Sequence, residues 1–112
     1  ISALYNGSMP LKLPVSTYFG RFVASADEMK TMQRNRQVIF RFADSQGRIT
    51  PQANITGSTD NIAGISNKTR NVFGMIPFPE RAVDDELGNT DGRLIFDSLI
   101  QIVGRSISRN LV

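Results

Sequence analysis

Cysteine and histidine are both missing from this 112-residue chain. The first absence excludes disulfides and thiolate nucleophiles, and the second excludes imidazole bases. Together they remove almost every zinc site. Cys- or His-based catalysis therefore cannot come from these residues alone, and nothing in their pattern calls for a metal or a cofactor. Long apolar runs are missing too: none approaches the ~18 residues of a membrane span. Ile1 opens no cleavable-signal pattern. An Ile with no Met at position 1 leads us to expect a processed, trimmed or partial N-terminus. A chain without Cys is compatible with the cytoplasm, which is the expected location.

The residues that are present are those of an ordinary soluble globular chain, 40% apolar and 21% charged. Such a length allows at most one domain with a modest core. The formal charge is +3, with a pI near 9.8. Nucleic-acid binding would want basic residues clustered on one face with aromatics between them. Here they are scattered, with the densest group at Arg34 and Arg36 near Lys30. A solvated helix end accounts for that group better than a nucleic-acid contact.

Local signals are readable along most of the chain. Asn6-Gly7 is a turn signal, and Ala3–Tyr5 could pair with Leu11–Val15 around it. Ser25 and Glu28 form a capping box ahead of a helix over Ala26–Arg34 that buries Met29 and Met32. Val38–Ala43 alternates as a strand with one well-buried face, turned by Ser45-Gln46-Gly47. Ile62–Ser66 and Val72–Ile76 form a hairpin across Asn67–Asn71, with Gly64 and Gly74 marking bulges or close backbone approach. Pro77 and Pro79 impose an extended segment around Phe78. From Asp91 the pattern is helical, with Thr90 as N-cap. Leu94, Ile95, Leu99, Ile102 and Val103 form one stripe, which Phe96, Ile100 and Ile107 widen.

The stretch I-A-G-I-S-N-K-T-R-N-V-F-G-M-I-P-F-P-E-R-A-V, Ile62 to Val83, resembles a known pattern. It is similar to I-A-G-I-x-N-x-x-G-N-V-x-G-M-M-P-H-P-E-R-A in the glutaminase subunits of phosphoribosylformylglycinamidine synthases. Leu11–Phe22 resembles that family's L-K-L-P-I-A-H-G-E-G-R-Y. Gln37–Phe42 resembles its Q-V-V-F-R-Y, and Ala53–Ser58 its A-N-P-N-G-S. Asp84–Gly92 is similar to the acidic run before its last helix. Order and spacing hold from about Leu11 to Ile100. The resemblance is to the C-terminal half of the subunit; the other half of the family's subunit carries the Cys nucleophile. It implies an α/β fold, half of a class I glutaminase-like mixed sheet with flanking helices. Residues 1–112 would form a single degenerate half domain.

Two departures fall on polar positions. Phe78 stands where the family has its catalytic His, while the Glu of the triad survives as Glu80. Thr17-Tyr18-Phe19-Gly20 stands where the family has H-G-E-G. In this chemistry the His takes the thiol proton and returns it to the departing ammonia, and the carboxylate fixes the imidazole tautomer. In an extended segment, residues two apart point the same way, which suits a His–Glu pair at that spacing. Phe78 has no nitrogen to serve. Either it fills the emptied pocket as core or it anchors a partner. Glu80 is expected to pair with Arg81 or another nearby Arg, or to bind something new.

Both departures exchange polar chemistry for apolar contact. The leading expectation is a non-catalytic subunit descended from a purine-pathway glutaminase, held in a complex with another protein or with itself. Tyr18, Phe19, Phe22 and Phe78 are its candidate contacts. One alternative is a fragment of a split glutaminase that needs a Cys-bearing partner. A weak nucleic-acid-binding remnant is the other, resting only on pI and the Arg34, Arg36 group.

Overall fold

In a computed structural model the chain is described over residues 9–16 and 20–110, without the side chains of 105–110. Its contacts divide into two compact units, residues 15–77 and residues 1–14 with 78–112.

The first unit holds helix α1 (Ala26–Arg34) and strands β1 (Val38–Arg41), β2 (Ile62–Ser66) and β3 (Phe73–Met75). α1 starts where the sequence says it should. The Ser25 hydroxyl accepts from the Glu28 backbone N–H, and the Glu28 carboxylate accepts from the Ser25 backbone N–H at 2.7 Å. This reciprocal pair satisfies two of the donors that every helix start leaves open. Met29 is buried and Met32 half-buried, as the spacing required.

The strands lie in the order β1-β2-β3, paired antiparallel at both junctions. The α/β class is therefore as expected, and the parallel pairings of a mixed sheet do not occur among the described residues. β1 is shorter and more irregular than its alternation suggests. Its register slips on both sides of Phe40, and all four of its residues are half-buried; Phe42, just beyond it, is buried. The central strand is Gly-containing for a steric reason. A Cβ on Gly64 would lie 3.1 Å from the Phe40 ring and 3.3 Å from Met75 Cβ. Gly74 has open space around it, so close approach explains only one of the two strand glycines. Asn61, in the left-handed region that Asn tolerates, donates its side-chain amide to the carbonyls of Phe42 and Thr50. That ties the long polar connection back to the sheet.

The second unit is built from two short 3-10 turns, Pro79–Arg81 and Asp85–Leu87, and the long helix α2 (Arg93–Asn110). The hairpin expected around Asn6-Gly7 involves residues 3–7, which lie outside the described residues. Its other arm, Leu11–Val15, is irregular. The backbone of that arm bonds to loops instead: Lys12 N–H to the Asp91 carboxylate at 2.7 Å, and the Pro14 carbonyl to Phe78 N–H at 2.8 Å. α2 begins at Arg93, two residues later than its pattern suggested, and the Asp91 carboxylate ahead of it accepts from Lys12 N–H. Ile95 and Ser98 are its buried residues, and the Ser98 hydroxyl donates to the Leu94 carbonyl. No helix among the described residues is long and apolar enough to cross a membrane.

Candidate functional site

The segment that carries the motif resemblance turns between Phe78 and Ala82. Pro79 is fixed in φ and occupies the first position of the 3-10 turn, where no donor is needed. Arg81 N–H donates to the Phe78 carbonyl at 3.1 Å, and Ala82 N–H to the Pro79 carbonyl at 3.0 Å. Ala82 is fully buried. Gly92 seals the other side of the turn: a Cβ there would sit 2.0 Å from the Pro79 carbonyl oxygen. The turn is thus held between its own hydrogen bonds and the backbone at the foot of α2, against which it packs.

This geometry corrects the expectation that residues 78 and 80 share a side. The segment does not stay extended past Phe78. A 3-10 turn rotates about 120° per residue, so positions two apart diverge. Glu80 is exposed and, among the described residues, has no basic group within ion-pairing distance. The expected Glu80–Arg81 pair does not form. The Arg81 guanidinium lies over the Phe78 ring instead, 4.7 Å from its centroid. Such a cation–π contact at an exposed site contributes about 0.5–1 kcal/mol. Phe78 itself is half-buried, neither core nor fully presented.

Phe22 belongs to the other unit. Its N–H donates to the Ser58 hydroxyl at 3.0 Å, and its carbonyl accepts from Thr59 N–H at 2.8 Å. Half-buried, it borders two clefts. One, of about 520 Å³, is formed with Val23, Ala24, Asp27, Glu28 and Thr31. The other, of about 300 Å³, is formed with Arg21, Ile62, Gly64, Gly74 and Met75. Tyr18 and Phe19 lie outside the described residues.

Sequence reasoning missed an exposed apolar surface. Five residues of the apolar stripe and its flank on α2 are exposed: Leu94, Phe96, Ile100, Ile102 and Val103. Phe96, Ile100 and Val103 recur at helical spacing and form one outward stripe. The available signal was that apolar residues cover too much of the helix circumference for one neighbour to bury. No group of three or more His, Cys, Asp or Glu that could hold a metal occurs among the described residues.

Comparison with known proteins gives this segment its relatives. A family model described as the CobB/CobQ-like glutamine amidotransferase domain matches residues 2–93. The phosphoribosylformylglycinamidine synthase subunit PurQ of Symbiobacterium thermophilum is 48% identical over 98 residues, 87% of this chain and 42% of that protein. The PurQ subunit of Aquifex aeolicus is 43% identical over 90 residues, 80% of this chain and 40% of its own length. Among solved structures, that of PurLQS from Thermotoga maritima superposes with a TM-score of 0.59 at 33% identity. The superposition covers 81% of this chain and 35% of the other. The chain thus spans about two fifths of the length of the curated relatives it matches. With most of its length under one family model and close identity to several PurQ subunits, the chain belongs to the CobB/CobQ-like glutamine amidotransferase family.

Proposed function

We propose that this chain is a non-catalytic subunit of purine-pathway glutaminase descent, acting as a structural component of a larger protein assembly. The observation that carries the reading is Phe78, in the P-F-P-E-R-A segment where the family pattern has His, with the Arg81 guanidinium over its ring at 4.7 Å. An aromatic ring cannot accept the thiol proton, and a guanidinium does not give one up at neutral pH. Glu80 points to the same conclusion: it is exposed, and the turn carries it away from the residue its carboxylate would have oriented. Losing one member of such a unit costs several orders of magnitude in rate.

The structural role draws on surface rather than chemistry. The stripe of Phe96, Ile100 and Val103 is apolar and exposed, which isolated domains keep small. Phe22 and Phe78, with Tyr18 and Phe19, are the other proposed contacts. The test is Phe78→His, which rebuilds P-H-P-E-R-A beside Glu80. No glutamine hydrolysis should appear, from the chain alone or in its native complex, and stability or partner binding should fall by about 1–3 kcal/mol. Measurable ammonia release from glutamine would overturn the reading.

The Glu80 retained in the family motif supports a second reading, in which this chain is one part of a divided glutaminase and supplies Glu80 to a Cys carried on a partner. Purification of the intact assembly, followed by an ammonia assay and a search of its polypeptides for a Cys nucleophile, separates the two. The base would still have to come from outside these residues.

A further inference from the structure

The hydrogen bonds of the first unit gather four cations that the sequence scatters. Gln37 N–H donates to the Met32 carbonyl at 2.9 Å, Ser66 N–H to the Gln37 carbonyl at 2.7 Å, and the Gln37 side-chain amide to the Ser66 carbonyl at 2.9 Å. These bonds bring the end of α1, the start of β1 and the end of β2 together. Arg34 is the last residue of α1, Arg36 precedes β1, and Lys68 and Arg70 lie in the turn that follows β2. All four are exposed at the same end of the sheet.

Nothing neutralises them. Among the described residues none has a carboxylate within 4.0 Å, whereas Arg41, at the opposite end of β1, reaches Asp60 at 2.8 Å and Arg48 reaches Asp44 at 2.8 Å. Residues 15–77 contain eight Lys and Arg against four Asp and Glu, and two of those four acids are held by Arg41 and Arg48.

Two of these residues also sit where their backbone disfavours a side chain. Arg36 has φ +53° and Arg70 φ +61°, in the left-handed region that suits Gly. Among the described residues the other non-glycines there are Asp60 and Asn61, types that tolerate it. The turn around Arg70 does not use its side chain. Asn67 closes it by accepting from the N–H groups of Asn71 and Val72 at 3.0 Å. Gly would suffice at position 70, and the glutaminase pattern quoted above has Gly there. Arg70 thus holds a conformation that disfavours it in a turn that does not use its side chain, which singles it out as a candidate contact.

We propose that this end of the sheet, with Arg34, Arg36, Lys68 and Arg70, docks an acidic segment of a partner polypeptide. Guanidinium forks match carboxylates bidentately. No exposed aromatic stands among the four to stack a base, so a nucleic acid is the poorer occupant. The proposal does not depend on whether glutamine is hydrolysed.

The probe is a fluorescently labelled oligo-glutamate peptide, titrated into the intact protein at low ionic strength. Binding should weaken as salt is added. The double variant Arg36→Gly/Arg70→Gly should lose about tenfold in affinity. Its melting temperature should rise by about 3 °C as the backbone strain is relieved. Lys68→Glu should weaken binding with its melting temperature unchanged. Unchanged affinity in the double variant, a falling melting temperature, or tighter binding of a single-stranded oligonucleotide than of the peptide would each overturn the proposal.

Discussion

β2 and α2 are both apolar in sequence, and the fold treats them in opposite ways. Ile62 and Ala63 of β2 are 1% and 4% exposed, while Ile100 and Val103 of α2 are 68% and 58% exposed. β2 is the central strand, paired on both edges, and Ile62 and Ala63 are buried within the described residues. α2 packs one side, Ile95 and Ser98, near the Pro79–Arg81 turn, and its outward stripe has no cover among the described residues. Apolar composition therefore means core in one element and exposed surface in the other. What separates them is whether a described residue covers the side chain.

The comparison breaks most sharply at the foot of α2, where the buried side depends on one missing atom. Gly92→Ala would place a Cβ 2.0 Å from the Pro79 carbonyl oxygen and 2.9 Å from that of Ala82. Both obstacles are backbone, so the turn or the helix must move. We expect a loss of about 4 kcal/mol, measured by denaturant unfolding, because overpacking against backbone cannot be relieved by a side-chain rotation. A stable Gly92→Ala protein would mean that α2 does not pack on this turn, and the contrast between its two sides would collapse.

The next test acts on both elements at once. Ile62→Ala should cost about 3 kcal/mol, since it removes a buried side chain from the centre of the sheet. Ile100→Ala should cost under about 0.5 kcal/mol in the isolated chain, as exposed substitutions do. In the native assembly Ile100→Ala should weaken association instead. Equal costs in the isolated chain would show that α2 is already covered.

What was legible in the sequence follows the same division. α1 forms over Ala26–Arg34 as read, because Ser25 and Glu28 complete a cap from residues three apart. The Asn67–Asn71 turn forms as read because Asn67 closes it locally. Several of the failures involve distant partners. Leu11–Val15 has a strand's composition, yet its hydrogen bonds go to Asp91 and Phe78. Asp91, where the helical pattern begins, lies ahead of α2 and accepts from Lys12, far away in sequence. The turn that parts Glu80 from Phe78 is packed against residues at the foot of α2. Phe78 could be singled out from the motif, but Arg81 stacking on it could not, since charge alone pairs Arg81 with Glu80.

The smallest expected effect compares how the two helices begin. α1 is closed by its own Ser25 and Glu28, whereas Gly92, the residue before α2, has no side chain to cap with. Ser25→Ala should cost about 1 kcal/mol at neutral pH by removing the hydroxyl that accepts from Glu28 N–H. Acid probes the same cap from its other half. The Ser25 backbone N–H, and secondarily its hydroxyl, hold the Glu28 carboxyl below the usual glutamate value of 4.5. Asp44 is likewise held below 3.8, first by the Arg48 backbone N–H and, against a small burial effect, by the Arg48 side chain. A lowered folded-state value means that the stabilisation is complete above the unfolded value and is lost as pH falls through the folded one. The melting temperature should therefore decline modestly below pH 4.5. Glu28→Gln should flatten the Glu28 share of that decline. Ser25→Ala should leave most of it, because the backbone donor, the larger cause, remains. A decline of equal size in Glu28→Gln and in the parent would show that the α1 cap does not carry the acid sensitivity.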